Sequence, residues 1–166
     1  MDNPNTITHI TNTNTEQSLY ERDFYQWGLY NAELLRQGRF AEIDVENIAE
    51  EIEGMSRSYK RELFSRLSVL ITHLLKWQYQ YKKRSRSWSK TVYTQRREIK
   101  IVLKFSPSLK YNIEIIINDA FEDAKFEFEK QTKISKDILP AICPYTFKQL
   151  SDYDFWPEET PVETIV

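Results

Sequence analysis

Residues 76–100, KWQYQYKKRSRSWSKTVYTQRREIK, hold nine of the chain's 23 Lys and Arg residues, one of its 25 acids, and the aromatics Trp77, Tyr79, Tyr81, Trp88 and Tyr93. The segment carries a net charge of +8, while the rest of the chain has fourteen bases against twenty-four acids, so the overall charge of -2 hides a bipolar molecule. Cations of this density neutralise phosphates and release counterions, and aromatic faces stack unpaired bases at roughly 1–3 kcal/mol each. Lys82, Lys83, Arg84, Arg86, Trp88, Arg96 and Arg97 are therefore the candidate surface for a nucleic acid or an acidic protein partner. Trp77 and Tyr81 fall on an apolar helical stripe and are read as packing; Trp88 and Tyr79 are less committed. The competing reading is a solvated turn whose cations sit favourably at a helix C-terminus.

Two carboxylate sets offer a different chemistry. Glu46, Glu50 and Glu53 share one helix side, and Asp119, Glu122 and Asp123 form a second set. Helical phosphoester hydrolases gather magnesium with carboxylates on facing helices, because a hard divalent ion needs several oxygen ligands. Glu50, Glu53, Asp119 and Asp123 are the candidate metal set, against the alternative of a solvated face or ordinary salt bridges. His73 and Arg66 project beside the apolar stripe, with Glu62 one turn before Arg66. Imidazole titrates near neutrality and could move a proton, but no Ser or Cys nucleophile signature accompanies it, so a hydrogen-bonded structural role is favoured. One cysteine and two histidines are too few for a structural zinc site, and no motif calls for a cofactor.

The elements that position these residues are read from apolar spacing. Leu19, Phe24, Trp27, Tyr30, Leu34 and Leu35 predict a helix over 19–37, ending at Gly38 in a left-handed cap. Asp44 is a good N-cap for a second helix, whose stripe from Val45 through Ile52, Met55, Tyr59, Leu63 and Leu70 to Tyr81 stays in phase across Gly54. Continuous phase argues for one long helix; Gly54, Ser56 and Ser58 permit a kink. Phe64, Val69, Ile71 and Leu75 widen the apolar surface of its C-terminal half, which is expected in the middle of a bundle. Ser87 is placed to cap a third helix with Val92, Gln95, Ile99, Val102 and Leu103 inside. Ser106 and Pro107 open a fourth over 107–131, burying Leu109, Ile113, Ile116, Ile117, Ala120, Phe121, Ala124 and Phe128. A short helix near 145–151 interrupts an irregular tail that Phe155 and Trp156 fasten to the bundle. The fold class expected is all-α, four main helices with a long second one, and the domain layout is a mobile tail over 1–18, one helical domain over 19–158 and a C-terminal tail over 159–166.

At 166 residues the chain can bury roughly 70 % of its unfolded surface without staples. No run reaches the ~18 apolar residues of a membrane span, and the N-terminus has neither a basic region nor an apolar core for export, so a cytoplasmic protein is expected. Cys143, alone and beside Ile142 and Pro144, reads as a small buried hydrophobe.

The stretches FYQW, ELLRQGRF, EEIEGM, HLLKWQYQ, RSRSW, QRREI, SPSL, AFEDAK, CPYT and DFWPE, in this order over roughly 19–158, resemble the bacterial, mainly cyanobacterial, family catalogued as domain of unknown function twenty-nine. The resemblance implies an all-helical fold and brings no activity, substrate or catalytic residue with it. Where that family has an arginine after AFEDA, this chain has Lys125, which keeps the charge and loses a planar bidentate donor. The leading expectation is thus a helical interaction module that self-associates, basic segment against acidic helix face. Nucleic-acid binding and magnesium-dependent hydrolysis are the alternatives.

Overall fold

In the computed structural model, which describes residues 18–161, every regular element among the described residues is helical. The mobile tail expected over 1–18, His9 included, lies outside the described residues except for Ser18. The chain gathers into two compact units, one up to Ile52 and one from Glu53 onward.

In the first unit Ser18 opens α1 (Leu19–Arg22) with a capping box, its hydroxyl accepting from the Glu21 amide while the Glu21 carboxylate accepts from the Ser18 amide. The single helix expected over 19–37 is broken at Asp23. That residue leaves helical geometry at φ -150° and caps α2 (Phe24–Arg36) by accepting from the Gln26 amide at 3.0 Å. Asp competes with the helix for backbone donors, which makes it a better cap than an interior residue. α2 closes as expected at Gly38, φ 70°, with Gly38 donating to Leu35 and Arg39 to Leu34, the paired bonds of a left-handed helix end. Asp44 then does two jobs: it accepts from the Asn47 amide at the start of α3 (Val45–Tyr79), and from the Trp27 indole at 2.9 Å. Tyr20 packs edge-on against Trp27 and donates to Glu51 at 2.6 Å, which pushes its phenol up to about 12. Only Trp27, Asn31 and Leu34 are buried among the described residues of this unit, while Phe24, Tyr25, Leu29, Tyr30, Phe40 and Ile52 are exposed.

α3 runs unbroken through Gly54, so the helix has no break at that glycine. One interior glycine costs about 1 kcal/mol of helix propensity, too little to interrupt an apolar phase carried by so many residues. The stripe is buried only from Leu63 onward; Met55 and Tyr59 stay exposed.

The core of the second unit joins Leu63, Leu67, Leu70, Ile71, Leu74 and Leu75 of α3 to α4 (Arg86–Phe105) and α5 (Ile113–Thr132). Val92, Ile99, Val102 and Leu103 face inward from α4. Every apolar residue expected on the inner side of α5 is buried, from Ile113 to Phe128, at about 1.5–3 kcal/mol for each large side chain. Leu109 is only partly covered, because the chain from Pro107 to Asn112 is a 3-10 helix and α5 starts after it. Ser106 makes no side-chain cap there. The cap of α4 is Ser85, which accepts from the Trp88 amide, and not Ser87; a 3-10 turn, Tyr81–Lys83, precedes it. Beyond α5 come a 3-10 turn, Lys136–Ile138, and α6 (Phe147–Ser151), capped by Thr146 and Gln149. Phe155 and Trp156 fasten this tail as expected, and the fastened chain extends to Thr160, whose amide and hydroxyl both bond Gln78.

Candidate functional site

At 100° per residue Arg86, Lys90, Tyr93, Arg97, Lys100 and Lys104 fall within a band of roughly 80° on α4, opposite the face that carries Val92, Ile99 and Leu103. All six are exposed. The band is ~27 Å long at 1.5 Å per residue. Glu98 is the one acid in the helix, and it pairs with Arg97 at 2.8 Å. Among the described residues no carboxylate pairs with Lys90, Lys100, Lys104 or the exposed Lys110 that follows in the 3-10 helix.

One groove lies on this band and a second lies along its edge, where the band meets the inner face. One, of 600 Å³, is lined by Arg86, Ser87, Ser89, Lys90, Tyr93 and Thr94. The other, of 520 Å³, has Ile99, Leu103 and Phe147 as its apolar walls and Lys100, Lys104 and Lys110 about its rim. Tyr93 belongs to the first and Tyr153 to the second, and their rings lie 6.2 Å apart at 15°.

The residues nominated from sequence divide sharply. Lys82, Lys83, Arg86 and Arg97 are exposed. Arg84 is committed elsewhere, donating to the Trp77 carbonyl at 3.0 Å and to Glu159 at 2.8 Å while its guanidinium lies over the Trp77 ring. Trp88 is half-buried under the Lys76 ammonium, 4.4 Å from the ring centre, and Tyr79 is buried against Phe128. Trp77 packs on Trp156 at 4.2 Å, in keeping with a structural role.

Arg96 is the largest correction. It is 2 % exposed and donates to three backbone carbonyls of the tail: Leu150 at 3.1 Å, Tyr153 at 3.3 Å and Phe155 at 2.7 Å. Burial pulls its pKa below the ordinary arginine range, and the nearby Asp152 works in the opposite direction. The side chain is a fastener of the tail and not a surface cation. Its position gives the clue: Arg96 is one turn after Val92 and falls at the edge of the apolar band beside Leu103, about 80° from the centre of the basic row. Lys90 and Lys100 lie inside the basic segment and Lys104 and Lys110 beyond it; helical angle, not charge density along the chain, is the signal that sets Lys90, Lys100 and Lys104 in one row with Arg86 and Arg97.

The carboxylates do less together. Glu53 pairs with Arg57 at 3.1 Å, Asp123 accepts from the Ser68 hydroxyl, and Glu50 and Asp119 are exposed. Among the described residues no group of three or more His, Cys, Asp and Glu side chains is placed to hold a metal ion. Asp123 and Glu127 instead line a 270 Å³ groove with Ser68, Thr72 and His73. His73 Nδ1 is 2.9 Å from the Val69 carbonyl; with its hydrogen there it donates to that oxygen. Burial lowers its pKa, the bond to Val69 opposes that, and the Lys76 charge adds to the lowering. Arg66 pairs with Glu62 at 3.3 Å along its own helix. Lys125 pairs with Glu122 at 2.7 Å, and burial pushes the Cys143 thiol up to about 11, so it is a poor nucleophile. Among the described residues no helix is long and apolar enough to cross a membrane.

No curated protein and no solved structure matches this chain. A family model described as "Domain of unknown function DUF29" matches residues 19–156, from the first residue of α1 to the tryptophan that closes over Trp77, and the chain belongs to that family.

Proposed function

We propose that this protein is an interaction module that holds a nucleic-acid strand along the exposed face of α4. The observation that carries the reading is the one-sided, largely unpaired row of cations Arg86, Lys90, Arg97, Lys100 and Lys104. Five phosphate contacts would give a plot of log binding constant against log salt with a slope of about -3.5 for a single strand. Replacing Lys90, Lys100 and Lys104 by Ala together removes three contacts from an exposed surface and should flatten that slope by about 2. A wild-type slope shallower than about -1, or a variant slope equal to the wild type's, refutes the reading. The setting proposed is the cytoplasm of a bacterial cell, where nucleic acid and an unpaired thiol such as Cys143 are both at home.

A second reading, self-association, is supported by the apolar side chains that the first unit leaves exposed. Tyr25 is 75 % and Leu29 56 % exposed on a helix that is apolar on nearly every side. Helices of that composition are ordinarily covered. Light scattering distinguishes the mode of pairing: a dimer of the 20.0 kDa chain that survives ~1 M salt is apolar, whereas one that dissociates uses the charge asymmetry.

A further inference from the structure

We infer that the 520 Å³ groove beside α4 takes an unstacked nucleobase, with the flanking phosphates on Lys100, Lys104 and Lys110. The inference rests on the nucleic-acid reading of α4 and narrows it to single strands.

The groove combines two features that separate ligands want and one ligand wants together. Ile99 and Leu103, both buried core residues of α4, form an apolar floor with Phe147 of α6. Three lysines stand at the rim, and no carboxylate lines the groove; Asp152 and Asp154 lie near Arg96 but outside the lining. A purely anionic chain gains nothing from the floor, and an apolar helix gains nothing from the rim. A nucleotide unit presents a flat, weakly polar base and phosphates on either side of it, and so uses both. The volume falls within the roughly 300–1,000 Å³ of ligand clefts.

The wall is also held in place before any ligand arrives. Tyr153 contributes its ring to the groove while its carbonyl accepts from Arg96, and Ser151 at the rim bonds the Phe147 and Lys148 carbonyls at the end of α6. Arg96 is thus a positioning residue for the groove. A wall already fixed spares the strand the cost of ordering it. Duplex bases are stacked and paired and cannot enter, while the phosphate face of α4 remains open to either form of nucleic acid.

Fluorescence anisotropy of the full chain tests this with a short labelled oligodeoxyadenosine, the same strand as a duplex, and poly-glutamate as competitor, at ~50 mM salt. Two variants accompany the wild type: Tyr153→Ala, which removes the ring, and Ser151→Trp, which fills the groove from its exposed rim and leaves every lysine in place. The wild type should prefer the single strand, and each variant should lose about tenfold in single-strand affinity with duplex affinity unchanged. Should Tyr153→Ala fail to fold, Ser151→Trp alone decides. Equal binding of strand and duplex by the wild type, or equal loss of both in Ser151→Trp, overturns the groove inference and leaves the phosphate-contact reading standing. Displacement by poly-glutamate at equal charge overturns both in favour of an acidic protein partner, and failure to retain either nucleic acid overturns both outright.

Discussion

Arg96→Met tests how the C-terminal tail is held. Methionine follows the same path through the core but donates nothing, so three carbonyls lose a charged donor at 3.1, 3.3 and 2.7 Å. Hydrogen bonds from a charged group contribute roughly 1.5–3 kcal/mol each, a gross loss of about 4.5–9 kcal/mol. Relief from burying a guanidinium with no carboxylate bonded to it offsets several kcal/mol of that. The net expected is a destabilisation of about 3–5 kcal/mol, or roughly 6–20 °C in Tm for a chain of this size. Arg96→Lys should do nearly as badly, because an ammonium on a flexible stem cannot reach three divergent acceptors as a planar fork does. The distinguishing measurement is amide hydrogen exchange followed residue by residue: protection should fall first and furthest over residues 150–160, with the α3 core around Leu70 and Leu74 affected only through global stability. A variant within ~1 kcal/mol of the wild type, or one that loses protection evenly across both regions, refutes the assignment of Arg96 as the fastener of this segment.

His73 makes stability depend on pH in a defined window. Its folded pKa is held below the ordinary ~6.5 of the unfolded chain, chiefly by burial. As pH falls below 6.5 the unfolded chain takes up a proton that the folded one resists, so stability is complete above that value and is lost on the way down to the folded one. His73→Gln should flatten the urea midpoint in the window just below pH ~6.5 while leaving the steeper loss below pH ~4.5, where Asp44, Glu33, Glu42 and Glu127 titrate from lowered values. An unchanged slope in the upper window rules His73 out as its source. For self-association, Leu29→Gln with Ile52→Gln should turn a salt-resistant dimer into a monomer by light scattering, and a dimer that persists unchanged excludes the first unit's apolar surface as the interface.

Periodicity made the helices legible because burial is repeated over many residues and errors at one position do not shift the phase. The inner face of α5 and the passage of α3 through Gly54 follow from that averaging. Element ends depend on single residues, and there the reading slipped. Asp23 interrupts a helix it was expected to sit inside, Ser85 rather than Ser87 caps α4, and Pro107 opens a 3-10 helix in place of the first turn of α5. Several donors compete for each such end, and tertiary contacts choose among them. Periodicity also identifies a face that can be buried without saying whether the chain supplies a cover: Met55 and Tyr59 share the stripe of Leu63 and Leu67 and remain exposed. The candidate site failed in a different way. Arg84 and Arg96 look identical to Arg86 and Arg97 in composition, yet two bind the tail and two face solvent, a division set by groups far along the chain: the Glu159 carboxylate for Arg84 and the carbonyls of Leu150, Tyr153 and Phe155 for Arg96.

The sorting of charge by helix argues that the α4 face is more than a solvated surface. On the other long helices several cations find acids three or four residues away: Arg36 with Glu33, Arg57 with Glu53, Arg66 with Glu62, Lys125 with Glu122 and Lys130 with Glu127. Such pairs contribute about 0.2–0.5 kcal/mol each, and a helix whose outer face served only to meet water would gain from them. α4 has Glu98 alone, spent on its immediate neighbour Arg97. Residues three or four apart on a helix have Cβ atoms about 6 Å apart, a separation at which two like charges in water repel by ~0.7 kcal/mol before salt halves it, so the neighbouring cations of the row cost the fold on the order of 1 kcal/mol. That is small enough for a core of this size to carry. A ligand of the kind proposed, bringing phosphates to the row, would turn that repulsion into attraction, so the stabilisation would belong to the complex and not to the free protein.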